Sequence, residues 1–333
     1  MSDLSRRHLL AGTAAVAATT ATTAPALAKP VLPPSLKGKS FLITGTSSGF
    51  GRLGALHYAR LGAKVFATMR NLPRPEEAEL REIAEKENLD LHILEIDVLS
   101  DEQVARSVAV AEGINGGPLD VLVNNAGINI SGPVEVQDME ATKLSFDTNV
   151  YGYLRMARAV LPGMRSKFSG LIVNVSSQQG RMIMPGSGIY SATKFAVESM
   201  CEQLAYELVP FSIDVLIVEP GGFPTKIGEN RARYSAELYE RADERHKQGY
   251  PGLVAGMKPS DGPPRSWPNA PDPMDVPRAI AEIAAMPPGT RPLRRPVHPG
   301  LKPQLEINRI CREAQLLWMS NKPYSEWVRA VYD

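Results

Sequence analysis

Histidine, cysteine and charge imbalance are all scarce in this 333-residue chain, and each shortage removes a class of chemistry. There are five histidines. None falls in an HExxH pattern or in a motif expected to line a crevice, and His57 and His92 fall on a predicted helix and a predicted strand. A metal centre and a serine–histidine hydrolase are therefore not expected. The two cysteines, Cys201 and Cys311, form no metal motif and no close redox pair; they read as separate thiols, although spacing alone leaves a pairing open. Lys and Arg total 37 against 36 Asp and Glu, a net charge of +1, which gives no basic excess to attract nucleic acid or an anionic membrane. Beyond residue 30 no apolar run approaches the ~20 residues needed to span a bilayer. With 43% hydrophobic and 22% charged residues, the remainder reads as a globular protein with one large α/β domain or two smaller ones.

The first thirty residues differ from the rest. Ser5-Arg6-Arg7-His8-Leu9-Leu10 is followed by an uncharged Ala/Thr-rich run that closes with Ala26-Leu27-Ala28, before Lys29-Pro30. Charge, weakly apolar run and small-x-small site come in the order of an export signal, and the stretch resembles a bacterial twin-arginine leader. Cleavage after Ala28 and a periplasmic location are the expectation. Residues 1–28 are thus set apart from the fold, with 29–37 as a linker and 38–333 as a single domain.

From residue 39 onward, short apolar runs alternate with amphipathic stretches. Strands are expected at 39–44, 63–69, 91–96, 120–124, 170–176 and 213–218, with an edge strand at 292–297 where prolines are tolerable. Helices are expected up to 61, over 75–87, from near 101, over 139–167 and over 189–208, then at 227–247, 275–286 and 303–319. Near-continuous apolar strands separated by helices predict a parallel sheet covered on both faces, with right-handed crossovers. The fold class is α/β, a doubly wound sheet of about seven strands. Residues 226–272, rich in Pro and Gly and containing Trp267, break the alternation and are expected to form a lid at the ligand end of the sheet. The tail with Trp318 and Trp327 is expected to pack on the body or on a neighbouring subunit.

The ends of these strands carry the chemistry. Thr44-Gly45-Thr46-Ser47-Ser48-Gly49-Phe50-Gly51 joins the first strand to the first helix. A glycine-rich turn there lets the backbone approach a pyrophosphate whose charge the helix N-terminus favours. Its G-x-x-x-G-x-G spacing departs from the commoner G-x-G-x-x-G. The second strand ends in Met69-Arg70, with no carboxylate until Glu76, which favours NADP(H) over NAD(H). Asp97, followed by Val98, ends the third strand and can either accept from an adenine amino group or cap the next helix. Asn124-Asn125-Ala126-Gly127 ends the fourth, and Asn149 falls mid-helix, where asparagine is mildly unfavourable without a hydrogen-bonding duty. Ser177 follows the fifth strand. Tyr190 and Lys194 are one helical turn apart, so a cation can sit by a phenol and lower its pKa. Pro220-Gly221-Gly222-Phe223-Pro224-Thr225 follows the sixth strand.

TGTSSGFG, NNAG, Asn149, Ser177, Tyr190-xxx-Lys194 and PGGFPT, in this order, resemble the short-chain dehydrogenase/reductase family over about residues 38–225, and more loosely 273–300. Phe50 stands where isoleucine is common. The resemblance implies a Rossmann-type fold and an NADP-dependent oxidoreductase similar to hydroxysteroid and retinol dehydrogenases. Tyr190 would be the general acid/base, Lys194 would lower its pKa and hold the nicotinamide ribose, and Ser177 would polarise the substrate oxygen. Asn149 would fix a water linking Lys194 to solvent. Cofactor contacts would come from Gly45 to Gly51, Arg70, Asp97, Val98, Asn125, Ala126, Gly127, Tyr190, Lys194, Pro220, Gly221, Phe223 and Thr225. Met182, Ile183, Met184 and Phe223 suggest a mostly apolar alcohol or ketone substrate. Family assembly implies a homodimer or homotetramer through 139–168 and 189–208. A nucleotide-binding sensor without catalysis, and an epimerase or dehydratase with transient hydride transfer, remain the alternative functions.

Overall fold

A computed structural model describes residues 34–258 and 267–332 of the chain. The expected leader at 1–28, most of the linker and residues 259–266 of the expected lid lie outside the described residues. Seven parallel strands form one sheet in the order β3-β2-β1-β4-β5-β6-β7. They are β1 (Ser40–Thr44), β2 (Lys64–Met69), β3 (Leu91–Glu95), β4 (Val121–Asn124), β5 (Gly170–Val175), β6 (Ile213–Pro220) and β7 (Arg294–Val297). β1, β4 and β5 are buried throughout, as strands covered on both faces must be. β7 lies at the sheet edge, and Pro296 sits there where the strand has a partner on one side.

The chain winds outward from β1 to β3, then crosses back to place β4 on the other side of β1. The C-terminal ends of β1 and β4 therefore feed connections in opposite directions and leave a crevice between them. One face is covered by α1 (Gly49–Arg60), α2 (Pro75–Lys86) and α10 (Asp275–Ala285), whose Leu56, Tyr58, Leu80 and Ile280 pack on the sheet. The other carries α3 (Asp101–Asn115), α5 (Gly152–Ser166) and α6 (Tyr190–Leu208), packed through Val108, Met156, Val160, Met164 and Val197. Local caps set the helix starts: Ser100 accepts from the Gln103 N–H and Asp138 from the Ala141 N–H, each satisfying an orphan donor.

The helical region expected over 139–167 is present but not regular throughout, and the helix expected over 227–247 is divided. α4 (Met139–Phe146) runs into a π-helical turn at Asp147–Tyr151 before α5 begins, and the extra residue turns Asn149 fully inward. Residues 227–247 form α7 (Ile227–Arg241) and, after extended Ala242, a separate turn α8 (Glu244–Lys247) capped by Asp243. The stretch after it contains α9 (Pro251–Val254). Leu238, Val254 and Met257 from this region bury against Ile130, Val136 and Ala141, making a third small core.

The helix expected at 303–319 is present as α11 (Gln304–Met319), which exposes Leu305, Ile310, Leu317 and Trp318, and a further helix follows it. α12 (Ser325–Tyr332) packs on α6: Val331 and Tyr332 join its core, and the Tyr332 hydroxyl donates to Glu202 at 2.6 Å. The tail thus packs on the body. Cys201 is buried and Cys311 exposed, both as free thiols. No described helix is long and apolar enough to cross a membrane.

Candidate active site

The glycine turn and the NNAG segment form one close-fitting unit. Gly45 has φ +72°, and a Cβ there would lie 2.9 Å from the Ala126 Cα. A Cβ on Gly51 would lie 2.3 Å from the Gly45 carbonyl oxygen and 2.5 Å from the Asn125 amide nitrogen. The Asn125 side chain donates to the carbonyls of Thr44 (2.8 Å) and Gly45 (3.2 Å), and the Thr44 hydroxyl accepts from the N–H groups of Asn125 and Ala126. Thr46 is fully buried, with N–H and hydroxyl both on the Thr68 carbonyl, so its side chain secures the turn to β2. Ser48 precedes α1 without capping it, and no acidic residue lies in the first turn. The N-terminal N–H groups of α1 therefore face the crevice unneutralised, as an anion site requires. Glycine cradle and free helix terminus together fit a dinucleotide pyrophosphate.

The far wall is the loop after β6. Thr225 reaches within 3.4 Å of where a Cβ on Gly49 would stand, closing that loop over the turn. Phe223 packs edge-on to Phe50 and to His298, with ring centroids 5.5 and 5.6 Å apart. His298 also occupies the space a side chain on Gly221 would need, 2.7 Å away. A histidine from outside the motifs therefore reaches the crevice wall. It lies just past β7, outside every recognisable motif.

β5 delivers Ser177 next to α6. Tyr190 is 8% exposed and Lys194 3%. Burial pushes the Tyr190 phenol up to about 12, opposed by the Ser177 hydroxyl beside it. Burial lowers Lys194 to about 8, opposed by the neighbouring Cys201 and Glu198. Its ammonium donates to the Val175 carbonyl at 2.8 Å and lies 5.8 Å from the Tyr190 ring centroid. The protein alone thus keeps the phenol protonated: desolvation dominates, and the influence opposing it is the Ser177 hydroxyl and not, as the spacing led one to expect, Lys194. Ser177 Oγ also accepts from the Gln179 N–H at 3.1 Å, which fixes its orientation.

Asn149 commits both ends of its amide to neighbours. Oδ1 accepts from the Ile128 N–H at 2.8 Å, and Nδ2 donates to the Ile128 carbonyl at 2.9 Å and to Thr193 Oγ at 3.1 Å. It ties the loop after Gly127 to α6 one residue from Lys194. A Cβ on Gly127 would lie 3.2 Å from Asn149 Oδ1 and 3.9 Å from Lys194 Nζ, so floor, amide and ammonium meet there. Sequence reasoning missed Tyr153, whose hydroxyl donates to the same Val175 carbonyl at 2.9 Å and whose ring lies 5.3 Å from Lys194 Nζ. It also missed Arg294 of β7, which pairs with Glu198 (2.9 Å) and Glu202 and anchors α6 to the sheet. No motif marks either residue; helical spacing from Asn149 could have suggested Tyr153.

At the adenosine end, Arg70 is exposed and donates to the Tyr234 hydroxyl at 3.3 Å. Asp97 Oδ1 accepts from the Leu99 N–H at 3.0 Å, while Ser100 is the cap of α3, so the carboxylate shapes the turn before the helix. Val98 is buried, and its carbonyl accepts from Arg155 at 3.1 Å. Among the described residues no cluster of His, Cys, Asp and Glu could hold a metal.

Comparison with known proteins agrees with this geometry. The short chain dehydrogenase family model matches residues 39–235. An uncharacterized oxidoreductase, YusZ of Bacillus subtilis, is 32% identical over 87% of this chain and 95% of its own. A 3-ketodihydrosphingosine reductase of Bacteroides thetaiotaomicron is 40% identical over 57% of this chain, and human retinol dehydrogenase 8 is 39% identical over 56%. The match spans less than two thirds of either, 66% and 60%. Among solved structures, a Burkholderia cenocepacia gluconate 5-dehydrogenase in complex with NADP and tartrate is 28% identical over 62% of this chain and 81% of its own, at a TM-score of 0.55. A Burkholderia phymatum short chain dehydrogenase/reductase in complex with NAD shares the fold at a TM-score of 0.65 and 23% identity, covering 86% of this chain and 96% of its own. With its motifs gathered round one crevice and the family model spanning well over half its length, this chain belongs to the short-chain dehydrogenase family and is an NAD(P)-dependent oxidoreductase.

Proposed function

We propose that the chain interconverts a secondary alcohol and a ketone, or a primary alcohol and an aldehyde, with NADP(H) as cofactor and Tyr190 as acid/base. The observation that carries this reading is the burial of a protonated phenol between Ser177 and Lys194, beside the Gly127 floor. The nicotinamide cofactor supplies the hydride when bound, and the protein contributes position and electrostatics. Gly45 to Gly51 and the start of α1 hold the pyrophosphate, and Pro220 to Thr225 hold the nicotinamide end. Ser177 donates to the substrate oxygen. Tyr190 gives that oxygen its proton in reduction and takes it back in oxidation. Lys194, together with the positive charge that an oxidised nicotinamide would supply, would favour the phenolate and offset the desolvation that raises the phenol.

Arg70 and the lack of a carboxylate at the end of β2 favour NADP(H). An apolar rim of Ile183, Met184, Leu253 and Trp267, all exposed, suits an apolar substrate, in line with relatives named for retinol and ketodihydrosphingosine. Residues 226–258 and 267–272 act as the lid. Tyr151, Leu154 and Phe195 leave apolar area exposed around α5 and α6, consistent with a homodimer or homotetramer there.

Replacing Tyr190 by Phe is expected to lower turnover about 10²–10⁴-fold. NADPH affinity should stay within a few-fold, as read by absorbance and fluorescence with a panel of apolar alcohols and ketones. Unchanged turnover overturns the mechanism. The Arg6-Arg7 leader directs the folded enzyme to the periplasm, where tightly retained nucleotide must be recycled on the enzyme by a second substrate. Mass spectrometry of periplasmic enzyme should find the nucleotide bound; cytoplasmic fractionation or an empty site there refutes the export reading.

A further inference from the structure

The proposed reading gives α7 no chemistry beyond covering the crevice, yet two of its side chains stand at the end of β2. Tyr234 accepts a hydrogen bond from Arg70 across 164 positions of sequence, at 3.3 Å. The guanidinium of Arg233, itself paired with Glu237 at 2.9 Å, lies 4.3 Å over the Tyr234 ring. Burial raises the Tyr234 phenol, but Arg70 and Arg233 outweigh it and hold the group below its ordinary range. The other nearby arginines are already neutralised: Arg74 pairs with Glu76 at 2.8 Å and Arg52 with Glu79 at 3.0 Å. Among the described residues Arg70 meets no carboxylate within ion-pair distance; its charge rests on a neutral phenol. A phenol that accepts from a guanidinium keeps its own proton free to donate. Two donors from different elements, one cationic and one neutral, thus converge at the C-terminal end of β2.

We infer that Tyr234, supported by Arg233, completes with Arg70 the site for the 2′-phosphate of NADP(H), so that the same phosphate selects the cofactor and fastens α7 over the crevice. The inference rests on the NADP reading above and deepens it. A phosphate here receives one charge-assisted bond from Arg70 and one from the Tyr234 hydroxyl, while Arg233, its own charge shared with Glu237, holds the Tyr234 ring in place. NAD(H), with a neutral ribose hydroxyl at that place, gains neither. The phosphate also ties β2 to α7, which carries Leu238 of the third core and Ser235, whose hydroxyl accepts from the Ser131 N–H at 2.9 Å. Phosphate at the adenosine end therefore reaches the cover over the substrate end.

The test titrates the full chain and its Arg70→Ala, Tyr234→Phe and Arg233→Gln variants with NADPH, NADH and adenosine 2′,5′-bisphosphate, by calorimetry and without turnover. Tyr234→Phe should weaken NADPH and the bisphosphate about tenfold, the loss of one hydrogen bond to a charged group, with NADH within about twofold. Arg233→Gln should weaken both phosphate-bearing ligands about threefold by loss of the contact that holds the Tyr234 ring. Bisphosphate should slow proteolysis within 226–258 in the parent and not in Tyr234→Phe. If Arg70→Ala loses the NADPH preference while Tyr234→Phe keeps it, α7 has no part in the site and the inference falls alone. Equal weakening of NADPH and NADH by Tyr234→Phe means a purely structural role and overturns it too. A parent protein without preference for NADPH, unchanged in Arg70→Ala, overturns the NADP reading and this inference with it.

Discussion

The crevice and the insertion beside it are built by opposite means. Around Thr44, Gly45, Gly51 and Asn125 the backbone is packed so closely that even a methyl group at Gly51 meets a carbonyl oxygen at 2.3 Å, and the groups that matter are buried. Residues 226–258 are held instead largely by surface pairs: Arg241 to Asp138 at 2.6 Å, His246 to Glu135 at 2.7 Å and Tyr250 to Glu135 at 2.7 Å, over a small apolar core. Buried groups cannot relax into water, so their geometry is fixed and their pKa values move. Exposed pairs are worth little each and let a segment reposition. A site that must align a proton and a hydride needs the first kind of construction, and a cover that must open needs the second.

The largest effect expected from breaking this contrast is at Lys194. Burial lowers its folded-state pKa to about 8 from an ordinary value of 10.5. As pH falls from 10.5 toward 8, the unfolded chain takes up the proton before the native state does. Lys194 therefore costs stability progressively over that window, and by a constant amount below it. Lys194→Met should abolish turnover and yet melt higher than the parent at pH 7. The gain is on the order of 1–3 kcal/mol, reduced by the lost hydrogen bond to Val175. The gain should disappear by about pH 10.5, leaving only the loss of that hydrogen bond. Thermal melts across that range decide it: a variant more destabilised at pH 7 than at pH 10 would show that the native state welcomes the ammonium.

The smallest effect belongs to the insertion. Arg241→Ala removes an exposed pair worth about 0–1 kcal/mol, so global melting should barely move, while cleavage within 226–258 should rise a few-fold. Asp138 is less dispensable, because it also caps α4 through the Ala141 N–H. A large fall in global melting for Arg241→Ala would mean that insertion and crevice unfold as one unit.

What could be read in advance follows the same division. Strand runs such as 170–175 and the glycine turn obey local rules, because a strand buried on both faces must be apolar and a pyrophosphate needs bare backbone. All seven strands and the helices from α1 to α6 fall close to where pattern placed them. Asn149 was legible as an oddity in a helix, but its π-helical turn was not, since that turn exists to satisfy two backbone groups of Ile128 far away in sequence. Tyr153 and Arg294 were invisible for the same reason. Their partners, the Val175 carbonyl and Glu198, lie on other elements. His298 became part of the crevice wall only because β7 docks beside β6 and brings it against Gly221 and Phe223.

By itself the sequence determined the doubly wound sheet, the nucleotide turn and the one-turn spacing of Tyr190 and Lys194, because each depends on residues near one another in the chain. Only the tertiary structure decided the protonation of that pair. Whether a phenol titrates at 10 or is pushed up to about 12 depends on how much water its neighbours exclude, and those neighbours come from β5, α5 and the loop after β4. The contact between Arg70 and Tyr234 belongs to the same class: two residues 164 positions apart, joined only because α7 folds back over the end of β2.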